Sequence, residues 1–150
     1  MMKHTNEGEA LTGLILEIFR LNGALLTSGN KLTKPFGLTS ARWQVLGPIS
    51  KELLTVAQIA RRMGLARQGV QRIVNDLENL GLVAFQENID HKRAPLIALT
   101  EAGKAMMVEV DEVQAAWANN LAEGLSEQQI KQASNIIKLV YEGLESDSSY

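Results

Sequence analysis

Thr55–Thr100 reads TVAQIARRMGLARQGVQRIVNDLENLGLVAFQENIDHKRAPLIALT, and this stretch decides the fold. Its apolar residues follow helical spacing up to Met63 and again over 66–80, with Gly64 between the two segments to permit a sharp turn. After Gly81, two β-prone runs flank a charged tip. The stretch therefore predicts a helix, a tight turn, a second helix and a β-hairpin.

The flanking sequence predicts four further helices. A long amphipathic helix is expected over 9–30, and Thr39 can cap a second helix that the sequence Gly47-Pro48 kinks or ends early. After the hairpin, one helix runs from Glu101 to about residue 123, and Ser126-x-x-Gln129 is a capping box that opens the last. We predict a mainly α (α+β) fold: a winged helix-turn-helix of about six helices and one β-hairpin wing.

The helix over 66–80 carries the side chains expected to read DNA. Its apolar positions fix a buried face, so five polar residues point outward: Arg67, Gln68, Gln71, Arg72 and Asn75. Arginine pairs with the O6 and N7 atoms of guanine, and glutamine or asparagine pairs with adenine, in the major groove. The alternative is an ordinary solvated helix face, on which these residue types are common.

Other cations extend this predicted surface. Lys92 and Arg93 at the hairpin tip can reach a minor groove or its phosphates, although long polar tips are often only solvated. Arg61 can touch a phosphate or form a salt bridge on the helix surface. Ser40, with the N–H groups that open the second helix, is a further candidate phosphate contact.

Composition is compatible with this function and excludes several others. The chain has 150 residues, 45% of them hydrophobic, and no cysteine, which excludes disulfides and thiol redox chemistry. The N-terminus lacks a secretion signal, and no apolar run approaches the roughly 20 residues that span a bilayer. We therefore expect a cytoplasmic protein that does not enter a membrane.

Charge is distributed unevenly around a net value of −2. Residues 1–54 and 55–95 each hold six Lys/Arg and four Asp/Glu, whereas residues 96–150 hold three and nine. The acidity thus lies in the last third, and the candidate DNA-reading segment is mildly basic.

An enzyme is not expected. The two histidines, His4 and His91, are far apart in the sequence, and no paired carboxylate, glycine-rich phosphate loop or metal-ligand spacing is present. We predict no catalytic residue, no metal site and no cofactor.

Three sequence pieces resemble the multiple antibiotic resistance regulator (MarR) family of bacterial transcription factors. They are Leu38-Thr39-x-x-Arg42-Trp43-x-Val45-Leu46, Leu77-Glu78-x-x-Gly81-Leu82-Val83 and Leu99-Thr100-Glu101-Ala102-Gly103. The resemblance covers nearly the whole chain, and the three pieces stand in register at the family's spacing.

The resemblance implies a single domain over 1–150, with a winged helix-turn-helix core at about 38–100 and dimerisation helices at about 9–30 and 101–145. It further implies a homodimer that binds double-stranded DNA at a palindromic operator. Many such proteins are repressors released by a small aromatic or lipophilic effector. For that pocket we name Trp43 as a candidate wall, although Trp43, Phe36, Met106 and Trp117 can equally fill the core.

Two positions depart from the family pattern. The wing usually carries an aspartate directly before two basic residues, where it holds the wing arginine; here that position is His91, and Asp90 stands one residue earlier. The recognition helix often begins with serine or threonine, and here it begins with Ala66. These departures and the negative net charge favour a competing hypothesis, a winged-helix protein–protein interaction module without specific DNA reading.

Overall fold

A computed structural model describes residues 1–147 of the chain, and helices dominate it. The elements in order are α1 (Asn6–Thr33), a 3₁₀ turn (Lys34–Phe36), α2 (Ser40–Ile49), β1 (Leu54–Thr55), α3 (Val56–Met63), α4 (Arg67–Asn79), β2 (Val83–Gln86), β3 (Leu96–Leu99), α5 (Glu101–Leu121) and α6 (Glu127–Ser146). The predicted mainly α fold with a winged helix-turn-helix is confirmed. The chain forms two compact units, Met1–Val113 and a second that begins at Gln114.

Side-chain caps set the helix boundaries as the sequence predicts. The capping box at Thr55 is complete: its Oγ1 accepts the Gln58 N–H at 3.2 Å, and Gln58 Oε1 accepts the Thr55 N–H at 2.9 Å. Ser126 and Gln129 repeat this arrangement at the start of α6. Thr39 caps α2, which ends one residue after Pro48, as expected for a proline late in a helix.

The core of the first unit lies where α2, α3 and α4 meet the sheet. Its fully buried side chains come from every one of these elements and include Leu46, Ile59, Val74, Leu77 and Ile97. Burial of such side chains is the main favourable contribution to folding. This core holds α4 with a fixed face outward.

The sheet has one strand more than predicted. β2 and β3 form the expected antiparallel hairpin, and β1 adds to the far side of β3 with Leu54 opposite Ile97 and Thr55 opposite Leu96. Two residues are too few to show period-2 alternation, so the sequence identified Thr55 only as a helix cap. Strand β1 ties the start of α3 to the hairpin.

The second and third sequence pieces that resemble the MarR family contact each other. Thr100 Oγ1 donates to the Gly81 carbonyl at 2.6 Å, and the Thr100 N–H donates to the Leu82 carbonyl at 3.0 Å. A Cβ atom on the buried Gly103 would lie 2.1 Å from the Leu82 carbonyl oxygen. Glycine is therefore required where α5 crosses the turn that ends α4.

Helix α1 is longer and more apolar than expected. By length and composition alone, the segment Asn6–Phe36 could cross a membrane, which corrects the expectation that no segment approaches that limit. The expectation was wrong because small, uncharged Gly, Thr, Ser and Asn residues interrupt the apolar run without adding charge. Glu17 and Arg20 lie inside this helix and pair with each other at 2.8 Å.

The second unit presents apolar side chains along α6. None of the residues of α6 is buried, and Ile136, Leu139 and Leu144 are all exposed. An amphipathic helix with an uncovered apolar face is typical of a surface that contacts another protein.

Candidate nucleic-acid interface

Helix α4 presents the predicted polar face. Val70, Val74 and Leu77 are buried on one side, and the five candidates Arg67, Gln68, Gln71, Arg72 and Asn75 are exposed. The burial of three apolar residues at helical spacing leaves these polar side chains outside the core. The structure thus places all five on the accessible surface of α4.

The turn between α3 and α4 sets the position of this surface. Gly64 is left-handed, with φ of 66°, and the Leu65 N–H donates to the Ala60 carbonyl at 2.8 Å. At the next helix, Ala66 provides no side-chain cap, as the sequence predicts. A missing cap costs about 1 kcal/mol of stability and leaves N–H groups at the start of α4 without a side-chain acceptor.

A cavity of about 310 Å³ joins α4 to the wing. Two cations line it, Arg67 on the helix and Arg93 on the wing, together with apolar side chains. The lining consists of Thr55, Val56, Ala57, Arg67, Gln68, Gln71, Arg93, Ala94 and Pro95. The structure therefore brings together side chains that lie about 25 residues apart in the sequence.

The cations of this surface are not neutralised by neighbouring acids. Within residues 1–147, no ion pair joins Arg67, Arg72, Lys92 or Arg93 to a carboxylate, and all four side chains are exposed. On α3, Arg62 instead pairs with Glu52, and Arg61 is exposed beside it. Unneutralised cations on one surface are what phosphate binding requires.

Asn88 shapes the tip of the wing. Its Nδ2 group donates to the Ala94 carbonyl at 2.9 Å, and its Oδ1 accepts the Asp90 N–H at 3.2 Å. The Asn88 carbonyl also accepts the His91 N–H at 3.2 Å. One side chain thus connects both ends of the tip, and Asp90 forms no ion pair with Arg93 among the described residues.

Sequence reasoning missed the role of Asn88. A signal was available, since asparagine after a strand often bonds to the backbone two residues later. The charge of the neighbouring Asp90 and His91 pointed to those two residues as the ones that shape the wing tip.

Ser40 must be removed from the candidate DNA contacts. It is buried, its hydroxyl donates to the Leu26 carbonyl at 2.6 Å, and its N–H donates to Asn30 Oδ1 at 2.8 Å. A Cβ atom on Gly29 would lie 2.2 Å from Ser40 Oγ, so α1 and α2 approach closely here. The sequence suggested a free helix N-terminus because it cannot show which helix packs against it.

Trp43 packs at the same junction and is partly buried against the core. Its ring lies 3.5 Å from the Cβ position of Gly29. Phe36 and Met106 also pack partly buried against this core. The role of Trp43 in an effector pocket stays a prediction.

Gly69 is not required by contacts within the protein. Among residues 1–147, a Cβ atom built there would meet no atom within 4 Å outside its own helix, so α3 does not pack closely enough on Gly69 to require glycine. A close approach to DNA or tolerated variation remains as the explanation.

Known proteins resemble this chain in sequence. A family model described as MarR family matches residues 36–94, which include α3, α4 and most of the wing. An uncharacterised protein of Mycobacterium tuberculosis is 40% identical over 117 residues, covering 78% of this chain and 82% of that protein.

Solved structures share the fold. A MarR/EmrR family transcriptional regulator from Acinetobacter sp. ADP1 superposes with a TM-score of 0.81 at 21% identity, covering 89% of this chain and 96% of that one. CouR from Rhodococcus jostii RHA1, whose structure contains p-coumaroyl-CoA, superposes with a TM-score of 0.76 at 25% identity. That match covers 86% of this chain and 90% of CouR.

These matches separate a transcriptional regulator from an enzyme. The matched family consists of DNA-binding transcriptional regulators and not of enzymes. The matched residues include α3, the turn, α4 and the wing up to Ala94. This chain belongs to the MarR family of winged helix-turn-helix transcriptional regulators.

Proposed function

We propose that this protein is a homodimeric, sequence-specific repressor that binds a palindromic operator and is released by a small aromatic or lipophilic effector. The observation that carries the proposal is the cavity between α4 and the wing, flanked by the unneutralised Arg67 and Arg93. A cavity lined by two arginines and two glutamine amides has the chemistry needed to bind phosphate and read bases.

Each part of this surface has a separate role. In the proposal α4 enters the major groove, where Arg67, Gln68, Gln71, Arg72 and Asn75 meet base edges or adjacent phosphates. Lys92 and Arg93 on the wing reach the neighbouring minor groove or its phosphates. Arg61 on α3 contacts the backbone, and Ser40 has no part because its polar atoms are used inside the protein.

The dimer is supported by apolar surface on the first and last helices. In α1, Leu16 and Phe19 are 62% and 69% exposed, and in α6 Leu139 and Leu144 are 63% and 68% exposed. Isolated apolar side chains are normal on a surface, but rows of them on two helices favour an interface. We attribute the apolar character of α1 to this interface and not to a membrane, and we expect a cytoplasmic protein.

Two copies related by a two-fold axis explain why the operator should be palindromic. Their α4 helices must sit about one turn of DNA apart, roughly 34 Å, to occupy successive major grooves. A change in that spacing weakens contact at both half-sites together. An effector acts only to the extent that it binds the DNA-competent and DNA-incompetent arrangements with different affinity.

The chemistry of the effector is suggested by a relative and by Trp43. CouR is seen with p-coumaroyl-CoA, which carries an aromatic acyl group. In this chain Trp43 lies partly buried at the junction of α1 and α2, where an aromatic ligand would perturb both helices. Salicylate-like phenols and aromatic acyl thioesters are therefore the first compounds to test.

Selection of bound duplexes from a random DNA library tests the DNA-reading part of the proposal. The expected result is a palindromic consensus with half-sites about one helical turn apart. No enrichment, even at low salt, would instead support a protein–protein interaction module. Placing the selected operator over a promoter in a reporter then tests repression, and operator release by an aromatic panel tests the effector.

A further inference from the structure

Two amide side chains are joined on the exposed face of α4. The Nε2 group of Gln71 donates a hydrogen bond to Asn75 Oδ1 at 3.0 Å. The two residues are one helical turn apart, a spacing at which side chains meet. Gln71 also lines the cavity together with Arg67 and Arg93, so it lies beside whatever these cations bind.

The Gln71 amide has more hydrogen-bonding groups than its bond to Asn75 uses. An amide carries two N–H donors and one oxygen acceptor. The bond to Asn75 uses one donor and leaves the second N–H and Oε1 without a partner among residues 1–147. In the major groove adenine displays its N6 amino donor beside the N7 acceptor. The unused Oε1 acceptor and N–H donor of Gln71 are complementary to these two adenine groups.

We propose that Gln71 reads one adenine in each half-site and that Asn75 is the residue that positions Gln71. Oε1 of Gln71 accepts from adenine N6, and the second Nε2 hydrogen is donated to adenine N7. The inference rests on the proposed function, since it requires α4 to lie in the major groove.

The bond to Asn75 matters because a glutamine amide otherwise rotates freely about its last torsion. A rotating amide can form a single bond with several bases and so discriminates poorly among them. Once Asn75 holds Nε2, Oε1 is fixed in one direction. Guanine would instead place its O6 acceptor against Oε1, with no hydrogen between the two oxygen atoms. Contact between two desolvated acceptors is unfavourable, so guanine would be rejected.

A simpler explanation is that the pair only stabilises the helix surface. Such a pair affects the stability of α4 and has no effect on base preference. The two explanations are separated by measuring binding to operators in which single adenines are altered. Replacing adenine with 7-deazaadenine removes the N7 acceptor and leaves base pairing intact.

The experiment uses the full chain and the operator obtained by random-library selection. Wild-type protein is expected to lose about 2- to 10-fold in affinity when 7-deazaadenine replaces one particular adenine of each half-site. Gln71→Ala should weaken binding to the natural operator about 5- to 150-fold and become insensitive to 7-deazaadenine at that position.

Two variants of Asn75 test the positioning role. Asn75→Ala should lower the preference for adenine over guanine at this position about 3- to 10-fold. Asn75→Asp keeps an oxygen that accepts from Gln71 and adds negative charge. It should therefore retain the preference for adenine while weakening binding to all duplexes.

Asn79→Ala is the matched control, because Asn79 is an exposed amide of the same helix whose side chain bonds to no other amide among residues 1–147. It should leave both the adenine preference and the 7-deazaadenine effect unchanged. Thermal unfolding of each variant shows whether the fold is retained. If, at every adenine, 7-deazaadenine lowers the affinity of Gln71→Ala by the same factor as that of wild type, this inference alone is overturned. A library that yields no enriched duplex overturns the proposed function along with it.

Discussion

Arg93 illustrates how a single residue can act without a partner in the protein. It stands on the wing beside the cavity, exposed and without an ion pair among the described residues. An arginine held by an acid would first have to exchange that partner for phosphate. Here no such exchange is needed, so the full charge is available to DNA.

Arg93→Ala should weaken operator binding and reduce its dependence on salt. One phosphate contact contributes about one unit to the slope of log affinity against log salt concentration, so the slope should fall by roughly one per subunit. Titration of an operator duplex at several salt concentrations measures it. Lys51→Ala, an exposed cation of the same unit away from the cavity, is the control. An unchanged slope for Arg93→Ala would place that side chain off the DNA.

We expect Asn88 to affect DNA binding indirectly, through the shape of the wing tip. Asn88→Ala removes the bonds to the Ala94 carbonyl and the Asp90 N–H. We expect the free energy of unfolding to fall by at most about 1–2 kcal/mol. Operator binding should also weaken, because the backbone next to Arg93 loses its bond to Asn88 at Ala94. His91→Ala is the matched control, since the backbone N–H of His91 remains bonded to the Asn88 carbonyl. If His91→Ala weakened binding as much as Asn88→Ala did, the tip as a whole and not Asn88 would carry the effect.

At the scale of elements, two glycines of the helix-turn-helix, Gly64 and Gly69, should respond in opposite ways to a side chain. Within residues 1–147, a Cβ atom at Gly64 or Gly69 would meet no atom within 4 Å apart from the adjacent residues and, at Gly69, the backbone of its own helix. Gly64 has a left-handed φ of 66°, whereas Gly69 lies inside α4. Space is therefore equal at the two sites, and the backbone conformation decides the effect of a side chain.

Gly69→Ala should stabilise the protein by about 1 kcal/mol, because alanine favours a helix interior more than glycine does. Gly64→Ala should destabilise it by about 1–2 kcal/mol, because a left-handed backbone is strained for alanine. Chemical denaturation of both variants measures this difference. If DNA approaches the backbone at Gly69, the stabilised Gly69→Ala protein should nevertheless bind its operator more weakly. Operator binding equal to wild type would assign Gly69 to tolerated variation.

The elements were predictable where the signal was local. Gly81 and the capping residues at Thr39, Thr55 and Ser126 set boundaries through bonds or backbone conformations within a few residues, and the structure confirms them. Strand β1 was missed because its two residues are defined only by pairing with β3.

At the candidate site the same distinction holds. The exposed face of α4 follows from its own apolar spacing, so the sequence was enough to find it. Ser40 was misassigned because its burial depends on Leu26 and Asn30 of another helix. Arg67 and Arg93 line the same cavity only because of the tertiary fold, and the periodicity of the sequence does not reveal it.

At the scale of the whole molecule, we expect the exposed apolar residues of α1 and α6 to be covered by a partner. Their exposure in a single chain would promote aggregation, and a second copy is the partner that the proposed two-fold operator also requires. An interface formed by both helices should bury more than about 2,000 Å² in total, as stable dimers do. We therefore expect a dimer that persists at micromolar concentration.

Sedimentation of wild-type protein and of Phe19→Glu and Leu139→Glu tests this expectation. Each substitution puts a charge on an apolar helix face, at a side chain 69% or 63% exposed in the single chain, so it should leave the fold of that chain intact and weaken the dimer. Ile89→Glu, on the exposed wing tip, changes the same kind of side chain and should leave the dimer unaffected. A folded wild-type monomer at micromolar concentration would remove the dimer and the palindromic operator together, because one copy presents only one α4 to the major groove. If instead wild type is a dimer that Phe19→Glu dissociates and Leu139→Glu does not, α1 alone forms the interface. The apolar face of α6 then needs a different partner.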